Sequence, residues 1–250
     1  PIVQALMEAR ENDKQVAVLV ELKARFDEEN NLEWARAMEH QGVHVTYGVE
    51  KLQVKTHAKI ALVVRKEGDE LRRYVHLGSG NYNSSTARMY SDVCLLSANR
   101  ELGEDATRLF NRLTGYAPDT EYKRLFVAPE FLHPSLTELI DNEIQAAKEG
   151  KFARLILKMN QLEEDVMIMK LYEASQAGVK INLIVRGLCC LRPGVAGLSE
   201  NIKVRSILGR YLEHTRIYYF HNAPPDQRIY AGSADMMRRN LYNRVETVFP

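Results

Sequence analysis

KTHAKIALVV at positions 55–64 and HTRIYYF at positions 214–220 write one pattern twice: a histidine, a spacer, a cation and then an apolar run. A small-residue turn follows each, LGSGN at 77–81 and YAGSAD at 230–235, with 22 residues from His57 to Ser79 and 19 from His214 to Ser233. Working outward, VAVLVE at 16–21 matches INLIVR at 181–186, each after a helix-like stretch, and the β-rich run 43–47 matches 202–207. Residues 90–93 (YSDV) then align with 242–245 (YNRV). Self-similarity of this length and order marks an internal duplication, which constrains the fold more than any single motif does.

Hydrophobic periodicity fills in the rest. Residues 2–11, 30–41, 102–113, 134–148 and 163–177 repeat at helical spacing, with Gly42 and Gly178 as stop signals. Residues 16–20, 43–47, 60–64, 74–77, 153–157, 180–185, 202–207, 216–220 and 228–231 read as short strands. Proline and turn residues gather over 115–134, the expected boundary between a first domain, 1–117, carrying His57 and a second, 118–250, carrying His214. Strands alternating with helices predict an α/β fold in two duplicated domains, with mostly parallel central sheets and flanking helices.

Composition removes several classes. With 250 residues, 45% apolar and 27% charged, the chain is neither disordered nor fibrous. No apolar run approaches the ~20 residues of a membrane span, and no leader-like start is present. Cys94, Cys189 and Cys190 are too few and wrongly spaced for a disulfide framework or zinc knuckle, so a reducing, cytoplasmic setting is expected. Starting at Pro1 and stopping within an apolar stretch, the sequence reads as a piece of something longer. Its net charge of +1 is unevenly spread: residues 51–90 and 201–244 each hold eight Lys/Arg against three acids. Two separated basic segments in a balanced chain suit a focused anion site.

Residues i and i+2 of a strand share a face, so His57 with Lys59, and His214 with Arg216, can reach one ligand. The turn at 78–81, ending in Asn81, can aim backbone N–H groups at an anion. Together these predict a phosphate pocket at the interface of the two halves. Imidazole is a good nucleophile toward phosphorus when neutral, and neighbouring cations keep it so near pH 7. One histidine would attack while the other serves as acid/base or holds the moving phosphate. Arg25 and Arg186 stand at equivalent strand ends, where α/β sheets place ligand contacts. Tyr90 is suited either to stacking on a base or to packing, and Arg239, after the second turn, adds a cation. His40, His44 and His133 read as surface positions, and His76 and His221 as structural ones.

The paired His-x-(Lys/Arg) units with Gly-Ser turns resemble the phospholipase D superfamily, which builds one site from two halves. More specifically, VELKARFDEENNLEWA (20–35), KTHAKIALV (55–63), HLGSGNYN (76–83), TARMYSD (86–92), LIVRGLCCL (183–191), YLEHTRIYYF (211–220) and AGSADMMRRN (231–240) are similar to the C-terminal catalytic domains of the long, phosphohistidine-forming bacterial polyphosphate kinases. That resemblance implies reversible transfer of the terminal phosphate of ATP to inorganic polyphosphate, with the phosphorylated histidine at His57. It implies nucleotide contacts at Tyr90, Arg186 and His214; the cations and turn of the duplicated pattern extend the expected ATP- and phosphate-binding set to Lys59, Arg216, Asn81 and Arg239. The family's magnesium-site position falls on Arg25, whose guanidinium has no lone pair for Mg²⁺ and so suits phosphate oxygens beside the ion. The resemblance also implies a homo-oligomer in the full-length protein, no nucleic-acid partner, no transmembrane segment, and a cytoplasmic enzyme that can lie against the membrane. The alternative is a phospholipase D-type phosphodiesterase or nuclease. Against it, Val64 stands where that group carries an aspartate, and Arg216 stands for lysine. A third reading is a non-catalytic polyanion-binding module with salt-dependent binding.

Overall fold

The structure, a computed structural model, describes residues 1–22, 28–48, 54–115 and 121–250; Arg25 lies outside them. Contacts group the chain into two compact units, Pro1–His57 with Thr107–Glu121, and Ala58–Ala106 with Tyr122–Pro250.

The first unit opens with α1 (Ile2–Glu11), β1 (Ala17–Val20), α2 (Glu28–His40), β2 (His44–Tyr47) and β3 (Lys55–Thr56). β1 and β2 pair in parallel from Ala17↔His44 to Val20↔Tyr47. Parallel pairing needs a crossover of a dozen or more residues, and α2 supplies it. Ala35 and Met38 on α2, with Val43, are buried. Gly42 takes φ +80° to end the helix, and the Val43 N–H returns to Met38 O at 3.0 Å. Thr56 N–H donates to Glu21 Oε2 at 2.8 Å, fixing the approach to His57, which is half-buried.

The second unit contains β4 (Lys59–Glu67), β5 (Glu70–Gly78), α3 (Thr86–Met89), β6 (Tyr90–Ser91), β7 (Cys94–Ser97) and α4 (Arg100–Gly115), whose residues from Thr107 onward belong to the first unit. β8 (Phe126–Ala128), α5 (Leu132–Lys148), β9 (Arg154–Met159), α6 (Asp165–Gln176), β10 (Lys180–Val185), β11 (Ile202–Arg205), β12 (Leu212–Glu213), β13 (Arg216–Phe220), β14 (Ile229–Gly232), α7 (Arg238–Tyr242) and β15 (Arg244–Phe249) follow. Strands β4, β5 and β7 form an antiparallel sheet in that order. The larger sheet runs β11-β10-β9-β13-β14-β15, with β8 on β15.

The α/β class is as expected, but the strand directions are mixed rather than mostly parallel. Among the described pairings of this sheet, β11-β10 and β10-β9 are parallel, while β9-β13, β13-β14, β14-β15 and β15-β8 are antiparallel. The cause lies in the connections. α6 crosses between β9 and β10, whereas β13, β14 and β15 follow one another over loops and the short α7, too little chain for a parallel crossover. Strands β3, β6, β7, β8, β12 and β15 and helices α3 and α7 were not expected from the pattern.

One face of β9 and β10 is apolar. Leu155, Leu157, Met159, Ile181, Leu183 and Val185 are buried with Leu136, Ile140, Met167 and Leu171 of α5 and α6. Each fully buried aliphatic side chain here contributes about 1.5–3 kcal/mol. Glu164 caps α6 by accepting from Met167 N–H at 2.7 Å.

Candidate functional site

A polar centre lies within the second unit where β12, β13 and the turn after β14 approach the segment around β6. β6 and β12 pair in parallel, Tyr90 against Leu212 and Ser91 against Glu213, which brings residues 90–92 beside His214. Asp92 Oδ1 is 2.7 Å from His214 Nδ1, and the Tyr90 ring lies 4.9 Å from the imidazole, centroid to centroid. On the other side, Arg216 Nη1 is 3.1 Å from His214 Nε2 and donates to His214 O at 2.8 Å. A guanidinium can only donate, so Nε2 carries the lone pair and Nδ1–H donates to Asp92. Burial pulls the His214 imidazole below its usual pKa; Asp92 opposes this, while the Arg216 and Lys59 charges reinforce it. His214 is therefore a neutral imidazole of one tautomer at pH 7.

The supporting shell is dense. Arg216 holds Asp235 through two N–H groups, each at 3.2 Å, and both side chains are buried. Asp235 Oδ1 accepts from Asn160 N–H at 2.7 Å. Asn160 Nδ2 donates to His214 O at 3.2 Å, and Asn160 Oδ1 accepts from Arg186 Nε at 2.8 Å. Thus Arg186, just past the end of β10, joins the same network. Burial raises the Asp235 carboxyl, but Arg216 and Asn160 outweigh it and hold the group ionised. Burial likewise opposes ionisation of Asp92, and the His214 and Ser79 hydrogen bonds with the Arg216 charge prevail. Lys59 is buried, and its ammonium is pulled down to about 7 by burial, with Arg216 and Arg244 pushing the same way and Glu246 and Asp92 opposing. Lys158 Nζ, 3.1 Å from Glu213 Oε2, also donates to Thr215 O at 3.2 Å.

Each Gly-Ser turn also orients an acid. Ser79 N–H donates to Val93 O at 3.0 Å, Ser79 Oγ donates to Asp92 Oδ1 at 2.7 Å, and Val93 N–H donates to Ser79 Oγ at 3.1 Å. The second copy repeats this: Ser233 N–H to Thr247 O, Ser233 Oγ to Glu246 Oε2, and Thr247 N–H to Ser233 Oγ. Each turn serine positions an acid 13 residues on. The structural counterpart of Asp92 is thus Glu246, so the pairing of 90–93 with 242–245 is out by two residues. The reason is that the serine-to-acid spacing, not the Tyr and Val identities, is what the hydrogen bonds preserve.

Of the expected site residues, Tyr90, His214, Arg216 and Arg186 come together, and Lys59 lies within their field. His57 is in the first unit. Asn81 and Arg239 are exposed. Asp92, Asp235, Asn160 and Lys158 were not singled out, although Asp92 and Asp235 lie inside the matched YSDV and YAGSAD blocks. His133 is half-buried against Tyr242, at 5.4 Å between rings, rather than a surface position, because α5 begins beneath α7.

Among the described residues no group of three or more His, Cys, Asp or Glu could hold a metal ion. The two acids at the centre are committed, Asp92 to His214 and Ser79, Asp235 to Arg216 and Asn160. This donor set does not fit a protein-held Mg²⁺. Among the described residues no helix is long and apolar enough to cross a membrane.

Comparison with known proteins accounts for nearly the whole chain. Residues 1–119 match the family model described as polyphosphate kinase C-terminal domain 1, and residues 125–250 match polyphosphate kinase C-terminal domain 2. The chain belongs to the polyphosphate kinase family. It is 56% identical to a polyphosphate kinase of Synechocystis sp. (strain ATCC 27184 / PCC 6803 / Kazusa), and 57% identical to one of Thermosynechococcus vestitus (strain NIES-2133 / IAM M-273 / BP-1). Both alignments cover all of this chain and 34% of the relative. The crystal structure of polyphosphate kinase from Porphyromonas gingivalis superposes with a TM-score of 0.87 at 42% identity, over all of this chain and 40% of that one. The chain thus spans about a third of the length of the curated polyphosphate kinases it matches.

Proposed function

We propose that this chain carries the phosphotransfer core of an ATP:polyphosphate phosphotransferase, arranged as two duplicated phospholipase D-like domains, 1–117 and 118–250, and working through a phosphohistidine at His57. The observation that carries this reading is the neutral, single-tautomer imidazole of His214, held between Asp92 and Arg216 in a chain whose full length aligns with polyphosphate kinases. A ring nitrogen of His57 attacks the γ-phosphorus of ATP. The P–N bond forms as the bond to the β-phosphate oxygen breaks, and ADP leaves with the electron pair. The terminal oxygen of a polyphosphate chain then attacks the same phosphorus, the P–N bond breaks, and the imidazole is regenerated. His214 Nε2 accepts or returns a proton and, while protonated, holds a non-bridging oxygen with Arg216.

Arg186 is assigned to the nucleotide phosphates, its Nη groups being the ones Asn160 does not engage, and Tyr90 to the nucleoside. Lys59, Asn81 and Arg239 complete the phosphate contacts. Mg²⁺ is expected to arrive on the nucleotide, coordinated by its phosphates, with Arg25 as a phosphate contact. The same reading makes the full-length protein a cytoplasmic homo-oligomer able to lie against the membrane.

The test is to incubate the full-length protein, and this chain, with ATP labelled on the γ-phosphate and Mg²⁺. Acid-labile, alkali-stable protein label that is absent in His57→Ala and chases into polyphosphate supports the reading. Cleavage of phosphodiesters with no protein label in the full-length protein overturns it.

A further inference from the structure

The face of β9, β10 and β11 turned away from α5 and α6 carries a second cationic cluster, at the opposite strand ends from His214. Register sets Lys180 directly across from Arg154, and Asn182 across from Lys203. Lys180 and Asn182 share a strand face, so these four side chains stand together on the sheet. With Phe152 and Asn201 they line a pocket of about 310 Å³, at the small end of ligand sites. Phe152 is 59% exposed, and its ring meets His221 edge-on at 4.9 Å, forming one wall.

None of the lining side chains is acidic. Lys180 Nζ donates to the neutral Asn201 Oδ1 at 2.5 Å. Among the described residues no ion pair engages Arg154, Lys180 or Lys203. The nearby Glu143 carboxylate is buried and taken up by the N–H groups of Arg154 and Asn222 and by Asn222 Nδ2. Like charges directly opposite on neighbouring strands destabilise a sheet. Lys180 and Arg154 are such a pair, Lys203 adds a third positive charge beside them, and an anion from outside would relieve all three.

We propose that this pocket is a second binding site for the phosphate chain of inorganic polyphosphate, which it holds without reacting. The choice of polyanion rests on the function proposed above. The pocket sits at the amino ends of β9 and β10, whereas Asn160 and Arg186 follow their carboxyl ends, about 20 Å away for six-residue strands. Carboxyl ends are where α/β sheets do chemistry. A long phosphate chain can engage both places and gain from the raised effective concentration; a short one engages only one.

The experiment titrates this chain with long-chain polyphosphate, with triphosphate and with single-stranded DNA, at two salt concentrations. The pocket variant is Lys180→Gln/Lys203→Gln, and Lys14→Gln/Lys66→Gln is a control of equal charge loss on exposed lysines. Circular dichroism confirms folding of both, and Phe152→Ser offers a second perturbation without charge change. The pocket variant is expected to lose about tenfold in long-chain affinity, with a shallower salt dependence, and to bind triphosphate as the parent does. Equal loss in the control, unchanged long-chain binding, or equally tight binding of DNA each overturns the assignment. His57 labelling reads the other proposal separately. Label with no pocket effect sinks this inference alone, and a pocket effect without label sinks only the phosphohistidine reading.

Discussion

Asp92 Oδ1 stands 2.7 Å from Nδ1 of His214, across 122 residues of sequence. The contact fixes which ring nitrogen carries the proton and turns the Nε2 lone pair toward Arg216. It also couples a residue of the first repeat to the histidine of the second, so the imidazole's basicity depends on both. Asp92 favours the imidazolium, and removing its charge lowers the His214 pKa further. Asp92→Asn is therefore expected to reduce phosphotransfer by about 10²–10⁴-fold. Nitrogen-detected titration of His214 should show the lower midpoint. A variant with the parent's rate would remove Asp92 from the mechanism.

Gly80 gives a second handle on the same carboxylate. A Cβ at this position would lie 2.5 Å from Asp92 Oδ2 and 2.9 Å from Asp92 Cβ, so even alanine must displace that side chain. Gly80→Ala should cost activity comparably to Asp92→Asn while changing thermal stability by only about 1–3 kcal/mol. Rate and melting temperature measured on one preparation decide it, since a purely structural glycine would move both together.

Lys59 predicts a pH dependence of folding. Its ammonium is held at about 7 in the folded chain against 10.5 when free. Between those values the unfolded chain binds a proton that the folded one does not, so stability rises with pH across this window, by roughly 1 kcal/mol per unit. Lys59→Met should flatten that slope in urea denaturation at pH 7, 8 and 9. A slope that survives the substitution assigns it to other groups.

The Arg216–Asp235 pair should behave as a buried unit. Arg216→Met leaves the Asp235 carboxylate uncompensated and should destabilise by about 3–5 kcal/mol. Arg216→Met/Asp235→Leu should recover part of that loss, short of all of it because Asn160 N–H loses its acceptor. Additive effects in the double variant would contradict the pairing.

Much of the architecture was legible because short-range chemistry wrote it. The apolar run of β13 and the periodicity of α1 gave their bounds directly, and Gly42 announced the end of α2. β15 was missed because RVETVF carries Glu246 and Thr247 in positions that read as polar; inside the fold the Glu246 carboxylate accepts from Ser233 Oγ and Asn240 Nδ2. The mixed strand directions were missed because sheet order is set by connections whose length matters more than their composition. At the centre, His214, Arg216, Arg186 and Tyr90 could be named from the duplicated motif. Asp92 and Asn160 could not, since their importance comes from pairing across long sequence separations that periodicity does not report.

The two-residue parallel pairing of β6 with β12 also orders events in time. Closing a loop of more than a hundred residues carries an entropic penalty that local helices and hairpins never meet, and contacts of such separation form slowly. During synthesis α5, α6 and the parallel strands β9 and β10 can assemble while Tyr90 and Asp92 still wait for a partner. The imidazole's surroundings are consequently among the last parts of the molecule to mature: until β12 has left the ribosome, the helices and parallel strands already made have no centre to support.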